Sequence, residues 1–180
     1  MIYEPAEDSY LLQECVKELV KPGMKVLDMG TGSGIQALTA VEIVGAKNVI
    51  AVDINPEAVR ELCKKKIMAV DSDLYENIPE NDDGKFDVVI FNPPYLPKDE
   101  REDEESQIIT TGGKEGNEIT KRFLKESKKH LREKGKVLIV VSTLTPRIEE
   151  ILREEGWEYK ILKEKKVFME TLKVYECWRK

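Results

Sequence analysis

The sequence predicts an α/β protein with a doubly wound, mostly parallel sheet. Three observations predict it. Short apolar runs alternate with stretches of helical periodicity along the whole 180-residue chain, and that alternation implies βαβ units. One run, Val26-Leu27-Asp28-Met29, passes directly into Gly30-Thr31-Gly32-Ser33-Gly34, a glycine turn between a strand and a helix. Asp28, Asp53, Asp73 and Asn92 stand at or just beyond the ends of successive runs. Ligands of open α/β sheets bind along that edge.

Each element follows from local pattern. Residues 6–20 predict a first helix, with Leu11, Leu12, Cys15, Val16 and Leu19 at helical spacing. Lys21-Pro22-Gly23 ends it. Residues 25–29 read as a strand, 35–44 as a helix and 48–53 as the second strand. Asn55 is then the N-cap of a helix with Pro56 at its first position. A third strand falls near 67–70, a polar connection over 76–85, and a fourth strand over 86–91. Residues 118–131 predict a helix, 136–141 a fifth strand and 147–155 another helix. The last two strands, 158–168 and 171–178, read as an antiparallel pair. The irregular stretch 96–117 follows Asn92-Pro93-Pro94-Tyr95. Loops of that length in compact domains are functional or disordered, so we expect a flexible wall over a substrate. Its charged part, 98–105, reads as a solvated loop. Residues 1–180 make one domain with a short N-terminal helical extension.

Composition excludes several classes. A net charge of −6 leaves no obvious basic face for gripping duplex phosphates, so nucleic acid is not the expected partner. Lys and Glu dominate a charged fraction of 36%, a bias that resembles a thermophile's surface. Cys15, Cys63 and Cys177 are far apart, fit no zinc spacing and leave one thiol over in any disulfide scheme. They predict reduced thiols, no metal site and a cytoplasmic location. No apolar run approaches the ~20 residues needed to span a bilayer, and no signal-peptide pattern opens the chain. His130 reads as a surface or helix-end residue. Trp157 and Trp178 read as packing residues, and Glu118, Arg122 and Lys125 as a solvated helix face. Tyr3 and Tyr10 either cover a site or anchor the first helix.

The chemistry concentrates in two places. Asn92 is pinned at a strand end by Pro93 and Pro94, whose rings fix φ and bias the preceding residues toward extended backbone. The Asn92 side-chain oxygen and the Pro93 carbonyl can accept both hydrogens of a flat NH2 group, and Tyr95 can stack on its π face. That suits methyl transfer to an amide or exocyclic amine. The glycine turn differs from the dinucleotide pattern, because Gly34 comes one residue early and Asp28 precedes Gly30 by two. A carboxylate there repels a pyrophosphate and attracts a cation. S-adenosylmethionine, with its sulfonium and ammonium groups, fits that charge. Asp53, 19 residues after Gly34, suits the ribose hydroxyls. Asp73 suits an adenine amino group, with Leu74 packing on the ring.

With these residues in place, the chain resembles a class I methyltransferase, and more narrowly the HemK-type protein-glutamine methyltransferases of the archaeal and eukaryotic branch. The resemblance rests on Tyr3-Glu4-Pro5-Ala6-Glu7-Asp8-Ser9, the glycine turn, Asp53-Ile54-Asn55-Pro56-Glu57-Ala58, Asn92–Tyr95, and Gly112-Gly113…Gly116…Glu118, in that order. Ser9 stands where threonine is common, and Asp28 where glutamate also occurs.

The resemblance implies a seven-stranded Rossmann-like sheet with an antiparallel C-terminal strand. It implies N5-methylation of the glutamine in the Gly-Gly-Gln motif of a class 1 release factor. It further implies a small zinc-binding activator subunit, paired as a heterodimer along the third strand. In that reading Ser9, Gly30, Gly32 and Gly34 position the cofactor's methionine end. Asp28 faces its ammonium, Asp53 its ribose, and Asp73 and Leu74 its adenine. Asn92 also contacts the cofactor, Asn92, Pro93, Pro94 and Tyr95 hold the substrate beside it, and Asn92, Pro93 and Tyr95 are the catalytic residues. The chief alternative is a nucleic-acid (adenine or guanine) amino methyltransferase, whose target shares the NH2 geometry. A nicotinamide-dependent oxidoreductase is disfavoured by Asp28, and a non-catalytic binding module by the intact motifs.

Overall fold

The computed structural model describes residues 2–94, 111–114, 116–145 and 147–180. Tyr95 and most of the 96–117 stretch therefore lie outside the described residues.

β1 (Val26–Met29), β2 (Val49–Asp53), β3 (Met68–Asp71), β4 (Phe86–Phe91), β5 (Leu131–Ser142), β6 (Trp157–Lys166) and β7 (Thr171–Arg179) form one sheet. Its order is β3-β2-β1-β4-β5-β7-β6. The pairs from β3 to β5 are parallel, and β7 runs antiparallel to both β5 and β6. The strand order reverses between β1 and β4, which makes the β1 and β4 carboxyl ends the topological switch point.

Strand alternation divides the core by face. Leu27, Met29, Val89, Phe91, Val137 and Ile139 face one side, where α4 (Glu118–Ser127) and α5 (Ile148–Glu154) bring Phe123, Leu124, Ile151 and Leu152. Val26, Val88, Ile90, Leu138 and Val140 face the other. There α1 (Glu7–Leu19), α2 (Ile35–Val44) and α3 (Pro56–Lys64) bring Leu12, Val16, Ala37, Ala40 and Leu62. Each fully buried Leu, Ile or Phe contributes roughly 1.5–3 kcal/mol, so both faces are firmly closed. α3 starts as its sequence predicts: Asn55 Oδ1 accepts from the Glu57 N–H at 3.0 Å, with Pro56 at the first turn.

Two expectations need correction. The helix predicted over 118–131 ends at Ser127, passes through a 3-10 turn and becomes β5 at Leu131, five residues ahead of the expected Lys136. Exposed Arg132, Glu133 and Lys134 hide this strand from an apolar pattern, and its register with β4 shifts between Phe86 and Val88. His130 is not at the surface. It is 2% exposed, stacks on Tyr75 at 4.3 Å, and its Nδ1 lies 2.9 Å from the Gly84 carbonyl. Trp157 packs as expected, its buried indole N–H donating to the Leu124 carbonyl at 3.2 Å.

Candidate active site

The carboxyl ends of β1, β2, β3 and β4 open into a cavity of about 470 Å³. Its size falls within the ~300–1,000 Å³ typical of small-molecule sites. Among the described residues, Asp8, Asp28, Asp53 and Asp73 all line it, and no Lys, Arg or His does.

The glycine turn is held by those acids. Asp28 is buried, and its Oδ2 accepts from the Thr31 hydroxyl at 2.6 Å and the Ala37 N–H at 3.0 Å. Burial pushes its pKa up to about 7, with the two hydrogen bonds offsetting part of the shift. Asp53 Oδ2 accepts from Gly32 N–H at 2.8 Å and Oδ1 from Asn55 N–H at 2.8 Å. Burial raises its pKa as well, against those same bonds. Two acids tied to the turn, with no cation beside them, favour a cationic ligand and oppose a pyrophosphate. Gly34 is required at φ 83°, because a Cβ there would lie 2.4 Å from Leu62 Cδ2. Beside β3, Leu74 takes φ 49° and lines the cavity. Asp73 Oδ2 receives both Arg122 Nη1 and Nη2 at 3.2 Å. Arg122 is therefore not merely a solvated helix residue.

Asn92, Pro93 and Pro94 line the same cavity. Asn92 Nδ2 donates to Ser9 Oγ at 3.4 Å, whereas its Oδ1 is buried with no hydrogen-bond partner among the described residues. Leaving such a group unsatisfied costs about 1–3 kcal/mol. Gly112 packs against this segment so closely that a Cβ would lie 2.6 Å from the Pro94 carbonyl. That contact requires Gly112, and Gly113 beside it takes φ 114°.

The residues before α1 roof the turn. Tyr3 lines the cavity, and its hydroxyl donates to both Asp8 carboxylate oxygens at 2.9 and 3.0 Å. Burial and the Asp8 charge raise the Tyr3 pKa. Tyr10 is 51% exposed, so of the two tyrosines only Tyr3 reaches the site. Ser9 and Asp8 are both buried. Ser9, Asp28, Gly30, Gly32, Asp53, Asp73, Leu74, Asn92, Pro93 and Pro94 thus converge on one cavity, Gly34 lies just behind it, and Tyr95 is outside the described residues.

Sequence reasoning missed Asp8, Gln36, Thr111 and the Asp73 partner Arg122. Gln36 donates from Nε2 to the Ser9 carbonyl at 2.8 Å, and its Oε1 is buried without a partner. Thr111 Oγ1 is likewise buried and unpartnered among the described residues. Asp8 was legible, because it stands in the Tyr3–Ser9 run. Gln36 and Thr111 carry no pattern of their own.

The sheet order, its single reversed strand and the acidic cavity at the switch point define a class I methyltransferase. The chain belongs to the methyltransferase small domain family, which matches residues 7–171. It is 41% identical over 189 residues to a protein of Methanocaldococcus jannaschii that carries the provisional name protein N5-glutamine methyltransferase, covering 99% of this chain and 92% of that one. It is 28% identical over 187 residues to methyltransferase HEMK2 of Homo sapiens, covering 96% of this chain and 87% of that protein. A solved chain in the Mtq2–Trm112 complex of E. cuniculi superposes with TM-score 0.79 at 28% identity, covering 99% of each chain. That complex is described as responsible for methylation of the eRF1 translation termination factor.

Among the described residues no helix is long and apolar enough to cross a membrane, and no cluster of His, Cys, Asp or Glu has the makings of a metal site.

Proposed function

We propose that this enzyme transfers a methyl group from S-adenosylmethionine to the side-chain amide nitrogen of the glutamine in the Gly-Gly-Gln motif of a class 1 release factor. The observation that carries the reading is the buried, unpartnered Oδ1 of Asn92, followed by a proline that has no N–H to compete for it. An acceptor in that state calls for a donor, and a carboxamide NH2 supplies two. The names of the relatives above agree.

The cavity fits the cofactor. Four carboxylates in a lining that holds no Lys, Arg or His among the described residues suit a sulfonium and an ammonium. Ser9, Gly30, Gly32, Gly34 and Asp28 would hold the methionine end, with the unpartnered Gln36 Oε1 as a further acceptor. Asp53 would hold the ribose, and Asp73 and Leu74 the adenine. When bound, the cofactor supplies an electrophilic methyl on a good leaving group.

The chain's own residues do the rest. Asn92 Oδ1 and the Pro93 carbonyl accept the two hydrogens of the target amide, and Pro94 keeps that backbone rigid. Holding a nucleophile in line contributes roughly 7–11 kcal/mol in favourable cases. The same acceptors favour positive charge as it develops on nitrogen, whose lone pair otherwise rests in the carbonyl. No covalent nucleophile is required: as the N–CH3 bond forms the sulfur leaves as a neutral thioether, and the methylated nitrogen sheds one proton to water.

β3 lies at the sheet edge, and its Met68 is 62% exposed. A small zinc-binding activator paired along that edge is the partner this reading expects, in a cytoplasmic heterodimer. The deciding experiment incubates the enzyme, alone and with such an activator, with labelled cofactor and three substrates. These are release factor, release factor with the motif glutamine changed to alanine, and ribosomal RNA with tRNA. Label only on the intact release factor is the expected result. Label on nucleic acid alone would establish the base-amine alternative instead.

A further inference from the structure

Thr111 carries a hydroxyl that the fold itself does not use. The residue is partly buried and lines the cavity, and its Oγ1 is buried with no hydrogen-bond partner among the described residues. Backbone contacts set its place. The next residue, Gly112, lies so close to Pro94 that a Cβ would meet the Pro94 carbonyl, and the Gly112 carbonyl accepts the Ile119 N–H at 3.1 Å. Thr111 is therefore held beside the Asn92–Pro94 segment. A buried hydroxyl without a partner costs stability, so its presence in a binding cavity calls for a reason.

The target amide leaves one group unanswered. A carboxamide has two N–H hydrogens and one carbonyl oxygen. Asn92 Oδ1 and the Pro93 carbonyl are acceptors, so they can take the hydrogens and do nothing for the oxygen. That oxygen needs a donor once water is displaced. Three side-chain donors of the lining are already committed. The Tyr3 hydroxyl donates to Asp8 at 2.9 Å, the Thr31 hydroxyl to Asp28 at 2.6 Å, and Gln36 Nε2 to the Ser9 carbonyl at 2.8 Å. The Thr111 hydroxyl is not.

We propose that Thr111 is a substrate-binding residue whose hydroxyl donates to the carbonyl oxygen of the target glutamine side chain. The proposal rests on the reading of Asn92 as the acceptor for the amide hydrogens. Its energetic role differs from that of Asn92. As the nitrogen bonds to the methyl carbon, its lone pair leaves the carbonyl and the oxygen becomes a poorer acceptor. The Thr111 bond is then no stronger in the transition state than in the bound substrate, and its loss falls on binding rather than on kcat.

Thr111→Val keeps the side chain's shape and removes the hydroxyl, whereas Thr111→Ser keeps the hydroxyl. Thr111→Val should raise the KM for release factor about fivefold, the scale of one neutral hydrogen bond. Its kcat and its S-adenosylmethionine Kd should stay within about twofold of wild type, and its Tm should be no lower. Thr111→Ser should restore KM. A double-mutant cycle locates the contact. With S-adenosylhomocysteine present, the intact release factor should bind Thr111→Val about fivefold more weakly than wild type. The factor with its motif glutamine changed to alanine should bind both enzymes equally.

An unchanged KM in Thr111→Val overturns the proposal. So does an S-adenosylmethionine Kd weakened by the same factor, which would make Thr111 a cofactor ligand. A KM raised equally in Thr111→Ser would make it a packing residue, and a loss that persists against the alanine factor would place the contact elsewhere on the substrate. The reading of Asn92 fails separately, if Asn92→Ala still turns over, because the cycle reports on the target side chain without turnover.

Discussion

Two buried carboxylates on the same sheet are treated in opposite ways. Glu176, on β7, is 1% exposed and bonded to Lys136, and its other oxygen lies 2.8 Å from Lys160 Nζ. Burial pushes its pKa up, but the two lysines pull harder and the net shift is downward. Asp28, on β1, is equally buried, has only neutral donors, and its pKa rises to about 7. The β5–β7 side matches its buried charge internally, as a structural ion pair does. The β1–β4 rim leaves its buried charge unmatched, and that imbalance marks a binding site more reliably than burial or acidity alone.

The contrast can be broken from either side. The largest effect is expected at the rim. Asn92→Ala should lower turnover on the order of 100-fold or more, the scale of losing one preorganised transition-state contact, while cofactor affinity and Tm hold. On the matched side, Lys136→Met with Lys160→Met should make Glu176 resemble Asp28. Stranding a buried acid should cost about 3 kcal/mol in chemical denaturation, with cofactor affinity unchanged. A stable double variant would show that Glu176 rehydrates and that the pairing is incidental.

Asp28→Asn sharpens the comparison through pH. The Asp28 pKa rises from 3.8 to about 7 on folding. Between those values the native state keeps a proton that the unfolded chain has released, so stability falls as pH rises through that window. Glu176 has the opposite sign: its contribution is present above its unfolded pKa near 4.5 and fades as pH drops through the lower folded value. The ligand-free enzyme should therefore lose Tm between about pH 4 and 7 relative to Asp28→Asn, whose slope retains only the part due to Asp53 and other groups. A parallel pair of Tm profiles would mean that Asp28 titrates as an ordinary acid. Asp28→Asn should also weaken the cofactor roughly tenfold, since one unit of opposing charge is removed from an ammonium's surroundings.

This asymmetry also explains what could be read in advance. The sheet, its reversed strand and the residues at its strand ends follow from apolar runs, prolines and glycines, which act locally. Asn92 and the glycine turn were legible because prolines and glycines dictate backbone whatever surrounds them. The early start of β5 was not, because Arg132, Glu133 and Lys134 are polar and the strand exists only through pairing with β4. His130 was misplaced for a similar reason. Its burial depends on Tyr75, which lies 55 residues away in sequence and stacks on it. The same holds for Arg122 on Asp73: no local rule joins α4 to the residues after β3.

That last pair is the smallest test. Arg122 and Asp73 have side-chain exposures of 46% and 38%, so water and salt screen them. Arg122→Ala should change stability by less than about 1 kcal/mol. The pair nevertheless occupies Asp73 Oδ2, leaving Oδ1 as the oxygen able to meet an adenine amino group. Its loss should therefore weaken cofactor binding by about threefold at low salt, the scale of a partly exposed ion pair. The difference should vanish near 1 M salt, where the Debye length shrinks to about 3 Å. A deficit that persists at high salt would mean that Arg122 acts through packing of α4 on the cavity wall. The rim would then depend on shape as well as on unmatched charge.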